Sequence, residues 1–372
     1  MFFTKKITFG EITRLVFVPA TLGLVAGLAG ALMFESYFVT LSDYATEPLQ
    51  IGRLPIVSSA SLSQSDVAAR LDRLNAAVYP RLAPSIELSQ RARGISEAVG
   101  FATVLTSDGW LVSTPAVVSG TVDIAIGGRL LEPKMRITDP RTGLVFLKVD
   151  ATALPVSGFE ETDALLVGTP LYASDENGLF VASAFAGTTP QNRKAQVPNL
   201  QNSDLFSRAF HLDGVWGSRA AGGAVVSSDG DLAGFLVSEK NAPDTFVPMH
   251  LIRSVLAQIF RGQTPVRAQL GVQTLALDDA AFAEGGFGGV KGVRITGSRA
   301  YGLPAVRVGS AAAKAGLQEG DILLRVDGVD LSGGRDLSEL IAELEAGAKI
   351  QFDVVKDGAE RTIDVTLDGE KR

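Results

Sequence analysis

Cysteine is absent from the 372 residues, and histidine occurs only twice, at His211 and His250. Without thiols there is no disulfide framework, no thiolate nucleophile and no cysteine-held zinc. Two histidines leave no histidine-rich metal site, so no metal and no other cofactor is expected. The absence of cysteine is compatible with an oxidising compartment. Basic charge is also short: 34 Lys and Arg stand against 41 Asp and Glu, a net charge of −7. That balance excludes the basic footprint of a nucleic-acid binder.

What is present is glycine (40 residues), proline (16) and 46% hydrophobic residues in a chain long enough for two or three cores. One apolar run stands apart. Residues 15–34, LVFVPATLGLVAGLAGALMF, carry no charge and have the length of one bilayer crossing. Lys5, Lys6 and Arg14 precede the run, and Glu35, Asp43 and Glu47 follow it. The positive-inside rule then predicts a cytoplasmic tail at 1–14, a transmembrane helix at 15–38, and the rest of the chain outside the cytoplasmic membrane. The alternative is a cleaved signal peptide ending near Ala29-Gly30-Ala31. Gly23 and Gly27 form a GxxxG pair, a spacing at which two such helices can pack.

Residues 39–79 read as a tether and a short helix. In SQSDVAARLDRLNAAVY, Val67, Leu71, Leu74 and Val78 fall at helical spacing, with Ser65 as a cap. Over 80–260 short apolar runs alternate with Gly, Pro and Asp turns. An example is GFATVLTSDGWLVSTPAVV, two runs around Ser107-Asp108-Gly109, which predicts a hairpin. Many such strands predict an all-β barrel or sandwich, closed by a helix at HLIRSVLAQIF. RGQTPVR, 261–267, is a linker candidate. Residues 268–372 form an α+β unit with helices at SAAAKAG and DLSELIAELEAG; in the latter Leu337, Leu340, Ile341 and Leu344 make one apolar face.

Taken in order, these segments resemble the HtrA (DegP/DegS-like) family. GFATVLTSDGWLVSTPAVV is similar to its glycine-led hairpin ending in Thr-Asn-Asn-His-Val-Val. DPRTGLVFLKVD is similar to its Asp-Pro-x-Thr-Asp-Leu-Ala-Leu-Leu-Lys-Val. HLDGVWGSRAAGGAVV resembles the segment ending in Gly-Asn-Ser-Gly-Gly-Pro-Leu, and VRVGSAAAKAGLQEGDILLRVDGVDL the PDZ consensus. The resemblance spans about residues 80–372. It implies a mainly β protein: an N-terminal transmembrane helix, a trypsin-like double β-barrel and a C-terminal PDZ domain.

Carried over position by position, the resemblance implies a degenerate catalytic triad. The histidine position is Ala116, the aspartate position Gly143 and the serine position Ala221; the oxyanion glycine is Arg219. Acyl transfer by this route needs an activated hydroxyl, a base and a group orienting the base. Alanine and glycine supply none of them, which predicts a non-enzyme, an inactive pseudoprotease. Ser218, Ser113, Thr114 and His211 lie near the lost groups and are read as structural. Arg219 has two readings, a carboxylate ligand in the cleft or a solvent-facing side chain.

What remains is binding. The resemblance implies that an extended peptide with a free C-terminus adds to a PDZ sheet edge. Its carboxylate would be held by Gln269, Leu270, Gly271 and Val272, with Leu337 and Ile341 lining the last side chain's pocket. Extra residues at TGSRAYGLPAVRV could cover that groove. Gly222 and Gly223 leave room for a chain in the empty cleft. The expected partners are protein C-termini or extended peptides, and the membrane through the N-terminal helix. A homo-trimer or assembly with an active homologue is the expected association. The expected role is a scaffold, adaptor or regulator in periplasmic protein quality control. The alternatives are a protease with a non-standard or partner-completed site, and a structural subunit of an envelope complex.

Overall fold

The structure, a computed structural model, describes residues 62–81, 94–139, 141–190, 199–214, 216–237, 244–277, 291–331 and 335–370. The apolar run at 15–38 lies outside the described residues. Among those described, no helix is long and apolar enough to cross a membrane.

Helix α1 (Gln64–Leu74) buries Val67, Leu71 and Leu74. Its N-cap is Ser63, whose hydroxyl accepts from the Asp66 N–H, rather than Ser65. The helix stops at Leu74, and the chain turns directly into β1 (Asn75–Pro80). Val78 therefore belongs to a strand, and the first sheet begins ahead of the boundary expected at residue 80.

That sheet continues with β2 (Gly100–Val104), β3 (Trp110–Ser113), β4 (Val122–Ile126), β5 (Arg129–Leu131), β6 (Met135–Thr138) and β7 (Val145–Lys148). Its order is β5-β4-β1-β2-β3-β7-β6, all antiparallel. The predicted hairpin is β2–β3, with Thr103 opposite Val112 and Val104 opposite Leu111. The second sheet uses β8 (Pro170–Ser174) and β9 (Phe180–Pro190), then, after β10 (Leu200–Asn202), β11 (Arg208–Leu212), β12 (Ala224–Val226), β13 (Leu232–Leu236) and β14 (Thr245–Pro248). Strand β9 pairs with both β8 and β11, which closes the barrel β11-β14-β13-β12-β8-β9. Phe185, Phe210 and Phe246 cluster in its core with centroids about 6 Å apart, close enough for aromatic packing. The buried face of α1 packs into the same core. Helix α2 (Arg253–Phe260) follows β14.

The C-terminal unit has its own core, built on Leu270, Ile295, Leu323, Ile341, Ile350 and Phe352. Its elements are β15 (Ala268–Gln269), β16 (Gln273–Leu277), β17 (Gly292–Ile295), α3 (Ala311–Ala315), β18 (Ile322–Val326), β19 (Val329–Asp330), α4 (Leu337–Glu343), β20 (Lys349–Lys356), β21 (Ala359–Thr366) and β22 (Asp368–Gly369). The main sheet runs β10-β16-β17-β18-β20-β21, with β19 on β18. Its first strand, β10, comes from the barrel's part of the chain and not from the C-terminal unit.

Barrel and C-terminal unit share buried charge. Arg267 of the joining segment and Asp139 are 2% and 1% exposed and form a bidentate pair, Nε to Oδ1 at 3.0 Å and Nη2 to Oδ2. Arg267 Nη1 also donates to the Leu251 carbonyl at 2.7 Å. Burial is the strongest influence on Asp139 and pushes its carboxyl up. The Arg267 charge and hydrogen bonds from Arg267 and Thr142 outweigh it, holding the group below the ordinary aspartate range.

Candidate functional site

The positions that the resemblance assigns to a triad lie near the ends of strands β3 and β7 of the first sheet and the entry to β12 of the second. Ala116 is exposed on the turn after β3. Gly143 sits on the turn before β7, with φ +74° and open space where a Cβ would project. Ala221 is buried in one cluster with Val117, Val118 and Val145, the neighbours of those two positions. Its carbonyl accepts from the Phe101 N–H at 2.9 Å. The three positions therefore carry a methyl, a hydrogen and a methyl, none of which donates or accepts a proton.

The turn before Ala221 is a 3-10 helix, Ser218–Ala220. The Ala221 N–H is directed at the Ser218 carbonyl, 3.4 Å away, and the Ala220 N–H at the Gly217 carbonyl, 2.9 Å away. Arg219 lies against the chain itself: Nη1 donates to the Ser96 carbonyl at 2.8 Å, and Nη2 is 3.7 Å from Glu176 Oε1. Gly222, at φ +80°, passes so close to β2 that a Cβ would sit 2.0 Å from the Phe101 carbonyl oxygen. Only glycine fits there.

The hydroxyls beside these positions differ in setting, and Thr114 Oγ1 is buried without a hydrogen-bond partner. Ser113 is buried and donates to the Phe101 carbonyl at 2.6 Å; Thr114 is buried as well, and Ser218 is exposed. His211, on β11, lies in a hydrogen-bonded chain that sequence reading missed. Its Nε2 is 2.6 Å from Thr189 Oγ1, and its Nδ1 is 2.9 Å from Asp244 Oδ2. Thr189 and Asp244 are far from His211 in sequence, so only strand pairing joins them. His250 is buried at the barrel–α4 junction, with Nδ1 3.0 Å from Thr162 Oγ1 and Nε2 3.8 Å from Glu339 Oε2. Glu339 receives a two-point contact from Arg208, at 2.8 and 2.6 Å. Burial, the largest influence, raises the Glu339 carboxyl, but His250 and Arg208 more than offset it and hold the group below the usual glutamate range.

The second candidate site is the edge of β16. Leu270, Val272, Leu337 and Ile341 are all buried in the C-terminal core, so the side chains of Leu337 and Ile341 pack inward. The loop before β16 presents its backbone instead. The Leu270 and Gly271 N–H groups both point at one carboxylate oxygen, Asp204 Oδ1, at 2.8 and 3.1 Å. The Val272 N–H donates to Ser203 Oγ at 3.1 Å, and the Val272 carbonyl accepts from the Ser203 N–H at 3.0 Å. Gly271 is at φ +84°, and a Cβ there would lie 2.4 Å from Ser310 Cβ. Gln269 accepts from Arg307 Nη2 at 3.0 Å. The neighbour of β16 on this edge is β10; the extra residues of TGSRAYGLPAVRV form a turn of their own, bridged between Ser298 and Leu303.

Comparison with known proteins agrees with this architecture. Residues 268–367 match the PDZ domain family. The chain is 26% identical over 285 residues to a probable periplasmic serine endoprotease, DegP-like, of Marinomonas sp. strain MWYL1, covering 74% of this chain and 58% of that one. It is 27% identical over 296 residues to the protein of the same description from Bartonella henselae, covering 76% and 55%. The chain thus spans a little over half the length of these relatives. Among solved structures, the HtrA-type protease AlgW with a decapeptide superposes with a TM-score of 0.56 at 21% identity, covering 84% of this chain and all of that one. The fold is that of a trypsin-like protease followed by a PDZ domain. The chain is thus similar to the HtrA family in sequence and in fold.

Proposed function

We propose that the protein is a catalytically silent member of this family that works by holding peptides or protein C-termini, as an extracytoplasmic scaffold, adaptor or regulator. The observation that carries this reading is the chemistry of Ala116, Gly143 and Ala221: nucleophile, base and orienting carboxylate are all missing at once. Loss of a triad alone typically leaves about 10³–10⁴-fold catalysis over water, drawn from the oxyanion hole and binding. Here the Ala221 N–H faces the Ser218 carbonyl, so that remainder falls too. The relatives' periplasmic description and the polarity of the N-terminal charges favour a bulk chain outside the cytoplasm, tethered through residues 15–38. The peptide complexes of AlgW favour peptide capture at the PDZ edge, and association with itself or with an active homologue would suit a silent subunit.

A second reading, a hydrolase with a non-standard site, is favoured by the Thr189–His211–Asp244 chain, which has the hydroxyl–imidazole–carboxylate order of a triad. The test is turnover of labelled, unfolded casein by the full-length chain. No cleavage above a buffer blank is expected. Turnover that disappears in His211→Ala would establish the second reading, and turnover lost in Ser218→Ala or Arg219→Ala would place activity in the old cleft. Stable co-purification in fixed stoichiometry, with no peptide binding, would instead mark a structural subunit.

A further inference from the structure

The PDZ edge is where a peptide is expected, and it already holds one. Strand β10 lies antiparallel on β16, with Leu200 opposite Leu275, Gln201 opposite Thr274 and Asn202 opposite Gln273. The chain runs toward the Leu270–Gly271 loop, the direction in which a bound peptide runs toward its own C-terminus. Where the ladder ends, Ser203 continues it with the two contacts to Val272. Then Asp204 places a carboxylate oxygen on the N–H groups of Leu270 and Gly271. Its second oxygen is 3.2 Å from Arg307 Nη1. The side chain of Asp204 is 5% exposed. A carboxylate is taken out of water only where donors and a countercharge receive it. This loop supplies both.

The segment is also held beyond the carboxylate. Ser207 donates to Asp336, the N-cap of α4, and Arg208 grips Glu339 one turn further along that helix. Strand β16 on one side and α4 on the other are the two walls of the groove, and residues 200–208 contact both.

We infer that residues 200–204 are a built-in ligand of the PDZ groove, with the Asp204 side chain seated where a C-terminal carboxylate would go, and that outside peptides bind only by displacing it. The displacement half rests on the peptide-capture reading above; the occupancy half does not. Because the internal segment is covalently attached, it competes at a fixed, high effective concentration. An external peptide then sees its affinity reduced by the fraction of molecules whose groove is open.

The experiment uses the full-length chain, Asp204→Ala and Asp204→Asn, the latter keeping the shape and removing the charge. Each is checked for an unchanged circular dichroism spectrum. Two readouts are taken: hydrogen exchange of the peptide spanning Leu270 and Gly271, and binding of fluorescent peptides ending in Val, Phe or Ala, with free or amidated C-termini. The expected result is slow exchange in the wild type, faster exchange in both variants, and at least about tenfold tighter binding of the free-carboxylate peptides by the variants. Faster exchange with no peptide bound by any form would support occupancy and overturn peptide capture. Equal exchange and equal peptide affinity in all three proteins would overturn the inference and leave peptide capture standing.

Discussion

At the scale of single residues, the positions that the resemblance assigns to a triad differ from one in more than their side chains. Ala221 is buried in the same apolar cluster as Val117, Val118 and Val145. Gly143 is in the left-handed region, where an L-residue costs about 1–2 kcal/mol, aspartate among the least. The Ala221 N–H is directed at the Ser218 carbonyl, inside its own turn. We therefore expect the triple variant Ala116→His, Gly143→Asp, Ala221→Ser to remain unlabelled by a fluorophosphonate probe. Stoichiometric labelling at position 221 of that variant would show that side chains alone were lacking. The assignment of Ala116, Gly143 and Ala221 was legible in the sequence because each position lies inside a motif that resembles the family's. The direction of the Ala221 N–H was not, since a 3-10 turn over Ser218–Ala220 leaves no mark in residue type.

At the scale of elements, legibility followed pattern length. The β2–β3 hairpin, with strong apolar runs and an Asp-Gly turn, could be read directly. Helix α1 could be read in its middle but not at its ends, because Val78 continues the helical spacing while the chain is already paired with β2 as a strand. Strand β10 was invisible: Leu-Gln-Asn has no periodicity, and its partner β16 is distant in sequence. The segment 261–267, expected as a linker, ends in Arg267, which reads simply as a charged residue until the fold buries it against Asp139. Removing one member of such a pair strands a buried charge, at a cost of about 3–5 kcal/mol. Asp139→Ala should accordingly lower the urea midpoint sharply, while Asp139→Leu combined with Arg267→Met should recover most of the loss. Equal loss in the single and double variants would show that the pair is not what stabilises this junction.

At the scale of the whole molecule, two buried carboxylates tie the barrel to the PDZ domain, Asp139 through Arg267 and Glu339 through Arg208. Both are held below their ordinary ranges in the folded chain. A depressed carboxyl contributes stability that is present above its unfolded pKa and is lost as the pH falls through its folded one. The junction should thus be firm at neutral pH and weaken progressively below about pH 4, where unperturbed carboxylates begin to protonate. Melting temperatures across pH 2–7 would show it, as a fall on the acid side that is shallower in Glu339→Gln. A profile that is identical in wild type and variant would remove Glu339 from the account. The sequence by itself determined that a trypsin-like, mainly β segment precedes a PDZ domain, because each is written in contiguous motifs. Only the tertiary structure decided what meets the Leu270–Gly271 loop. Asp204 reaches Leu270 and Gly271 through strand pairing between distant segments, and such pairing is selected by the closure of the whole fold rather than by any local preference of the residues that make it.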